Sequence, residues 1–316
     1  MRDLPFVDVI IPAADAAEMI GPAIDAVRAQ GYPNLGVIVV ASFDEETAEA
    51  ARRHGAVVVP NPTGRTPNGL NLALAATTAD VVARIDAHST IPPGYLRHAV
   101  ETLSETGADN VGGMQVPIGD EPWEKAIAAA MASPLGAGDA RYRIGGEAGP
   151  TDTVYLGVFR RATLDRLGGY DESFERNQDY ELNHRIRESG GVVWFDPELR
   201  VLYRPRGSLR LLARQYFQYG RWKRHFSRRH PGSLRWRQLA PPLLVVLLGA
   251  TLLVGLWWRP ALSLPAGYLV TLLLAALIQI PRLGPAALGI APALAVMHLS
   301  WGLGFLSAGA DPSRTT

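Results

Sequence analysis

The chain has 316 residues and a formal net charge of +1, with 19% charged residues, 47% hydrophobic residues and no cysteine. It is too long for one small core, and its charged share lies below the roughly 25% usual in soluble domains. The missing cysteines exclude disulfide staples, thiolate metal sites and a cysteine nucleophile, and the small net charge hides an asymmetry, for no Asp or Glu occurs between Glu198 and Asp311.

The first part reads as alternating strands and helices. Residues 6–11 form an apolar run ended by Pro12, and residues 19–30 carry helical spacing through Met19, Ile20, Ala23, Ile24 and Val27. A second buried strand is expected at 35–40, a polar helix at 45–54, and a third strand at 56–59. A helix at 68–76 and a fourth strand at 81–85 follow. Continuous Val/Ile runs point to strands covered on both faces, and the strand–helix alternation predicts a parallel, doubly wound sheet. Ligands in such sheets bind beyond the carboxyl ends of the strands.

Residues 93–206 are less regular. The Gly/Ala/Arg-rich stretch 136–149 reads as a mobile loop. A helix is expected at 177–188, stopped by Gly190 and Gly191, and a further strand at 192–196. Residues 200–237 are dense in Arg with interleaved Tyr, Phe and Trp. Three apolar segments follow, at 239–258, 261–280 and about 285–306. Each holds about the 20 residues that a helix needs to cross the hydrocarbon of a bilayer. Positive charge before the first segment predicts that this side faces the cytoplasm. The start of the chain lacks the apolar stretch of a secretory signal, and a short tail is expected at 310–316. His298 is the main ionisable group inside the apolar segments, where such groups often mark transport pathways. A hydrogen bond between helices is the plainer reading for a single histidine.

Four groups of residues could do chemistry. Asp86 and His88 follow the fourth strand, where a carboxylate and an imidazole two residues apart can face one divalent ion. An Asp at a strand end can also merely cap a turn. Arg65 and Asn68 stand in a Gly/Asn loop opening a helix, suited to phosphate or simply to solvent. Asp179, beside Gln178 at a helix start, can act as a general base toward a hydroxyl or can answer the helix dipole. Gln218, Arg221 and Trp222 share one face of a predicted helix before the membrane. They could bind phosphate and sugar or anchor the helix at the interface.

Taken in order, several motifs resemble the family 2 glycosyltransferases of the GT-A fold, in the membrane-anchored branch that includes succinoglycan-type exopolysaccharide glucosyltransferases. They are Val9 to Pro12, Asn61 to Thr66, Arg84 to Ser89, Asp152 to Val154, Gly157 to Arg161, Arg176 to Asp179 and Arg214 to Lys223. The resemblance implies an α/β GT-A domain over residues 1–206, a basic interfacial helical region over 207–238, and three transmembrane helices over 239–310. It implies a catalytic base at Asp179, donor contacts at Pro12, Asp15, Asp44, Arg65, Asn68, Arg84 and Asp86, and Mg²⁺ or Mn²⁺ held by Asp86 and His88. Gln178, Gln218, Arg221 and Trp222 fall on the positions that engage the acceptor and the leaving diphosphate. The sequence departs from the family pattern at Ala16, at Ala41-Ser42 where an acidic residue usually meets the nucleobase, at His88 and at Tyr180.

The expected activity is inverting transfer of a hexose from a UDP-sugar to a polyprenyl-diphosphate-linked acceptor, in exopolysaccharide or cell-envelope glycan synthesis. The enzyme would sit in the cell membrane with its catalytic domain cytoplasmic, and nucleic acid is no partner. The competing readings are a non-catalytic nucleotide-sugar-binding membrane protein, an export component, and a transferase acting on a membrane glycolipid.

Overall fold

The computed structural model describes residues 4–307; the expected tail at 310–316 and the first three residues lie outside them. The chain forms two compact units. One is built from residues up to Val116 together with Arg141–Tyr203, the other from Pro117–Ala140 together with the chain from Arg204 onward.

The first unit is organised on a sheet of nine strands among the described residues: β1 Val7–Ala13, β2 Leu35–Ala41, β3 Val57–Pro60, β4 Val81–Arg84, β5 Ser89–Thr90, β6 Asn110–Pro117, β7 Gly149–Pro150, β8 Tyr155–Arg160 and β9 Val193–Tyr203. Their order is β3-β2-β1-β4-β8-β6-β9-β5, with β7 also on β9. The half from β3 to β4 is parallel, as the Val/Ile runs predict. Beyond β4, where the sequence pattern gave no strand direction, β4–β8, β8–β6, β9–β5 and β9–β7 all pair antiparallel. β1 shows why continuous apolar runs are needed in the parallel half. Val7, Val9, Ile11 and Ala13 enter one core and Ile10 enters the other, on the opposite face.

The antiparallel strands carry glycines where neighbours press close. A Cβ on Gly112 would fall 2.7 Å from Val154 Cγ2, and one on Gly157 would meet the ring of Phe159 and the side chain of Asn110. These glycines break the apolar run that marks a strand in sequence. The stretch 136–149 is also no irregular loop throughout. It contains the end of a short helix, Pro134–Ala137, capped by Ser133, and another at Arg141–Ile144.

The helix Gln178–Glu188 is fixed by a buried ion pair. Arg185 meets the fully buried Glu181 at 2.8 Å and donates to the carbonyls of Leu167 and Gly169, each at 2.8 Å. One side chain therefore binds the helix to the turn preceding Tyr170.

In the second unit, three helical segments among the described residues are long and apolar enough to cross a membrane: Trp236–Val254, Arg259–Ile278 and Ile280–Ser307. The last packs along the basic helix Leu209–Arg229. Gly220 lies against the carbonyl of Trp301 and Gly304 against that of Phe217, with no room for a Cβ at either. Small residues at such crossings let two backbones approach. His298 joins elements, as the plainer reading expects. Its Nδ1 lies 3.0 Å from the Tyr268 hydroxyl and its Nε2 lies 2.8 Å from the Leu135 carbonyl. A carbonyl only accepts, so Nε2 carries the proton and Nδ1 accepts from tyrosine.

Replacing Arg185 with Ala strips the cation from a buried carboxylate and is expected to cost about 3 kcal/mol. Replacing Arg52, whose pairing with Glu45 is exposed, should cost below about 1 kcal/mol. Thermal unfolding of both variants checks this, and equal losses would refute the structural role of the buried pair.

Candidate active site

Strand order places the site. The chain winds β1, β2, β3 to one side and then crosses to β4 on the other, so the carboxyl ends of β1 and β4 border a crevice. A cleft of about 190 Å³ opens there, lined among others by Pro12 near the end of β1, Ser42 after β2, and Arg84, Asp86 and His88 at and just beyond the end of β4. Gln178, at the start of the helix Gln178–Glu188, closes another side.

Arg84 organises the charges. Its side chain is only 7% exposed, and Nε and Nη2 donate to Asp86 Oδ1 at 3.2 and 3.0 Å. Nη1 donates to Oδ1 of Asp179, 95 residues further along the chain. Burial works against the charge on Arg84, but Asp179 and Asp86 outweigh it and hold its pKa above the ordinary value. Asp179 is raised above its ordinary value by burial. Arg84 opposes that rise and Asp86 adds to it. A carboxylate so tuned is a better proton acceptor than a solvated one. Tyr170 stands in the same electrostatic neighbourhood. Its hydroxyl is buried and makes no hydrogen bond of good geometry.

Asp179 reaches Arg84 because the loop before it is tied down. Arg65 Nε meets Glu175 at 2.9 Å, Asn68 donates to Glu172, and Asn71 exchanges two hydrogen bonds with the backbone of Tyr170, at 2.9 and 2.8 Å. All three anchors come from the loop and helix of residues 65–76. Asn177 then takes a left-handed conformation, φ 62°, as the residue before the helix, a conformation Asn tolerates.

Of the residues singled out from sequence, Pro12, Arg84, Asp86, His88 and Gln178 line one cleft, and Asp179 joins them through Arg84. Arg65 and Asn68 lie beside it, their side chains shared with Glu175 and Glu172. Asp15, with φ 49°, follows the cleft-lining Ala14. Asp44 differs from expectation. It caps the helix Glu45–Arg53, accepting from the Thr47 backbone N–H at 3.1 Å and from the Thr47 hydroxyl, a structural role that the sequence reading did not give it. Gln218, Arg221 and Trp222 lie on Leu209–Arg229 in the second unit. Trp222 is 2% exposed and edge-on to His225 at 5.6 Å. Its ring is thus covered, which departs from the expected stacking on a sugar. Tyr170 and Glu175 escaped the sequence reading. An acidic residue shortly before Asp179 was the available signal for Glu175, since Arg65 needs a counter-charge.

The donor set suits a divalent cation that keeps substrate oxygens. No group of three or more His, Asp or Glu is arranged to hold a metal among the described residues. Asp86 and the exposed His88 nevertheless share the cleft. Mg²⁺ and similar ions are commonly held by one or two protein groups, with phosphates and water completing the shell, so these two residues fit.

The sequence model of Glycosyl transferase family 2 matches residues 8–168. The succinoglycan biosynthesis protein ExoA of Rhizobium meliloti is 32% identical over 94% of this chain and 93% of its own length. The chain belongs to glycosyl transferase family 2. An uncharacterized glycosyltransferase of Mycobacterium tuberculosis, Rv0539, is 31% identical over 63% of this chain and 86% of its own. Among solved structures, the mannosyltransferase PcManGT from Pyrobaculum calidifontis, in complex with GDP-Man and Mn²⁺, superposes with a TM-score of 0.68 over 98% of this chain and 89% of that one, at 21% identity. The family 2 transferase therefore has the GT-A fold that its motifs predict.

Arg84→Gln should leave Asp179 facing Asp86 without a cation and raise the Asp179 pKa further. A carboxyl whose folded pKa exceeds its unfolded one binds more protons when folded, so stability falls as pH rises through that window. The stability deficit of the variant should thus be wider near neutral pH than in mildly acidic buffer. Melting curves in both buffers test this, and a deficit independent of pH would refute charge compensation at Arg84.

Proposed function

We propose that this family 2 glycosyltransferase moves a hexose from a nucleotide diphosphate, with a UDP-sugar as the expected donor, to a lipid-linked acceptor at the cytoplasmic face of the membrane, with inversion at the anomeric carbon. The observation that carries the reading is the meeting of Asp179, Arg84, Asp86 and His88 around one cleft at the strand ends, although Asp179 is remote from the others in sequence. Similarity to a succinoglycan biosynthesis protein along nearly the whole chain supports a role in exopolysaccharide or envelope glycan synthesis. The three apolar helices and the preceding Arg-rich helix support a polyprenyl-diphosphate-linked acceptor and a cytoplasmic catalytic unit.

In this mechanism Asp179 takes the proton of the acceptor hydroxyl as its oxygen attacks the anomeric carbon. The bond from that carbon to the diphosphate oxygen breaks, and the electron pair leaves with the nucleoside diphosphate. Arg84 holds the base in place and keeps it ionised against the cost of burial. Mg²⁺ or Mn²⁺, held by Asp86 and His88, would supply Lewis-acid neutralisation of the charge growing on the diphosphate. The neighbour structure with GDP-Man and Mn²⁺ supports this choice of donor class and ion. Gln178 is proposed to orient the acceptor from within the cleft, and Gln218 and Arg221, on the helix Leu209–Arg229, to bind phosphate.

Membranes carrying the protein, supplied with radiolabelled sugar nucleotides and then extracted for lipid, should yield labelled lipid. Label only in water-soluble hydrolysis products would overturn the lipid acceptor. Asp179→Asn should lower turnover about 10²- to 10⁴-fold, the usual span of general-base catalysis, with nucleotide affinity nearly unchanged. Because burial keeps Asp179 protonated to higher pH, the acid limb of kcat/KM should lie above the ordinary carboxylate value of 3.8. A pH profile checks this, and an acid limb at or below that value would contradict the assignment. Chelation should abolish transfer, and His88→Ala should raise the Mn²⁺ concentration needed to restore it.

A further inference from the structure

Phe43 is 78% exposed and has a φ of 51°. A lone exposed apolar side chain is ordinary. A bulky residue held in the left-handed region is not, because its Cβ crowds the backbone where glycine would be at ease.

The conformation is imposed from both sides. Before it, the Ser42 N–H donates to the Ala13 carbonyl at 3.1 Å, and the Ser42 hydroxyl accepts from Asn61 Nδ2 at 3.0 Å. After it, Asp44 is fixed as the helix cap on Thr47, whose hydroxyl oxygen also accepts the Ala16 N–H at 2.9 Å. Hydrogen bonds thus hold the residue on each side of Phe43. Strain of this kind persists where the surroundings over-determine it, and it gathers at functional sites.

The ring stands at the rim of the cleft. Ser42, its chain neighbour, lines the cleft, and so does Gly64. A Cβ on Gly64 would lie 2.7 Å from Phe43 Cε2, so the ring rests against that wall. At the end of β2, Ala41 and Ser42 carry no carboxylate, and both oxygens of Asp44 already accept from Thr47.

We propose that Phe43 is the platform on which the nucleobase of the donor stacks. The proposal rests on the nucleotide-sugar reading of the cleft and adds how the base is held there. An apolar ring offers a π face to a pyrimidine or a purine alike, so recognition here depends on stacking rather than on a hydrogen-bonded acidic group.

The test uses the full chain purified in detergent with Mn²⁺, titrated calorimetrically with UDP, GDP and inorganic pyrophosphate. Phe43→Gly should weaken both nucleotides about five- to a hundredfold, the range carried by base–aromatic stacking, and leave pyrophosphate binding unchanged. Its melting temperature should stay close to that of the parent, since relief of the left-handed strain offsets the chain entropy of glycine. Phe43→Trp should keep nucleotide affinity. Undiminished UDP and GDP binding by Phe43→Gly would overturn the role of Phe43 while leaving the nucleotide-sugar reading intact. An equal loss for pyrophosphate would also overturn it, by showing that the cleft rather than the base contact had changed. A parent protein that binds pyrophosphate but neither nucleotide would overturn the nucleotide-sugar reading itself.

Discussion

The contact between Arg84 and its two carboxylates governs the first unit. A buried guanidinium is costly to desolvate and is stable only when its charge is answered by well-placed acceptors. Asp86 is supplied locally, two residues on and at the same strand end. Asp179 must be brought from a helix almost a hundred residues later, and much around the cleft serves that delivery. Glu175 answers Arg65, Glu172 answers Asn68, Asn71 grips the backbone at Tyr170, and Arg185 ties the helix behind Asp179 to the turn at Gly169. The same contact has a chemical result. It holds Asp179, whose basicity burial raises and Arg84 moderates, at the cleft that Asp86 and His88 line, and leaves neither carboxylate as an uncompensated buried charge.

The parallel half of the sheet and its ligand edge were legible from sequence because both follow from one pattern. Residues 6–11, 35–40 and 81–85 bury side chains on two faces, so their Val/Ile runs leave little choice but a covered parallel sheet, and the strand ends then name Pro12, Arg84, Asp86 and His88. The antiparallel half was opaque for an equally physical reason. β6 and β8 need Gly112 and Gly157 where neighbouring side chains press against them, and a strand with glycines in its middle resembles a loop when read alone. Sheet direction beyond β4 therefore could not be read from the pattern. The helices Tyr95–Thr106 and Pro122–Met131 were passed over in the same region.

Within the site, the residues placed by strand position do share one cleft, whereas the partner that each side chain takes could not be read from sequence. Asp44 sits close to where the family places its base contact, yet Thr47 three residues later makes it a helix cap. Arg65 and Asn68 do lie beside the cleft, but as halves of links to the loop before Asp179. Trp222 has the right spacing from Gln218 and is nonetheless buried. In the second unit, apolar length alone located the three long segments, since a run of about 20 residues without charge has few other uses. It could not foresee that Leu135, from the stretch 117–140, would accept a hydrogen bond from His298.

Backbone strain gives an independent view of where function lies. Four residues other than glycine adopt positive φ among the described residues: Asp15, Phe43, Leu156 and Asn177. Three of them adjoin residues that line the cleft, namely Ala14, Ser42 and the pair Arg176 and Gln178. Asp and Asn bear this conformation easily, so positions 15 and 177 are turns with suitable residues. Phe43 has no such excuse, and glycine would fit its backbone better. A fold free to optimise stability alone would replace it, whereas the proposed stacking of a nucleobase at the rim of the cleft gives a reason to keep the ring and bear the strain.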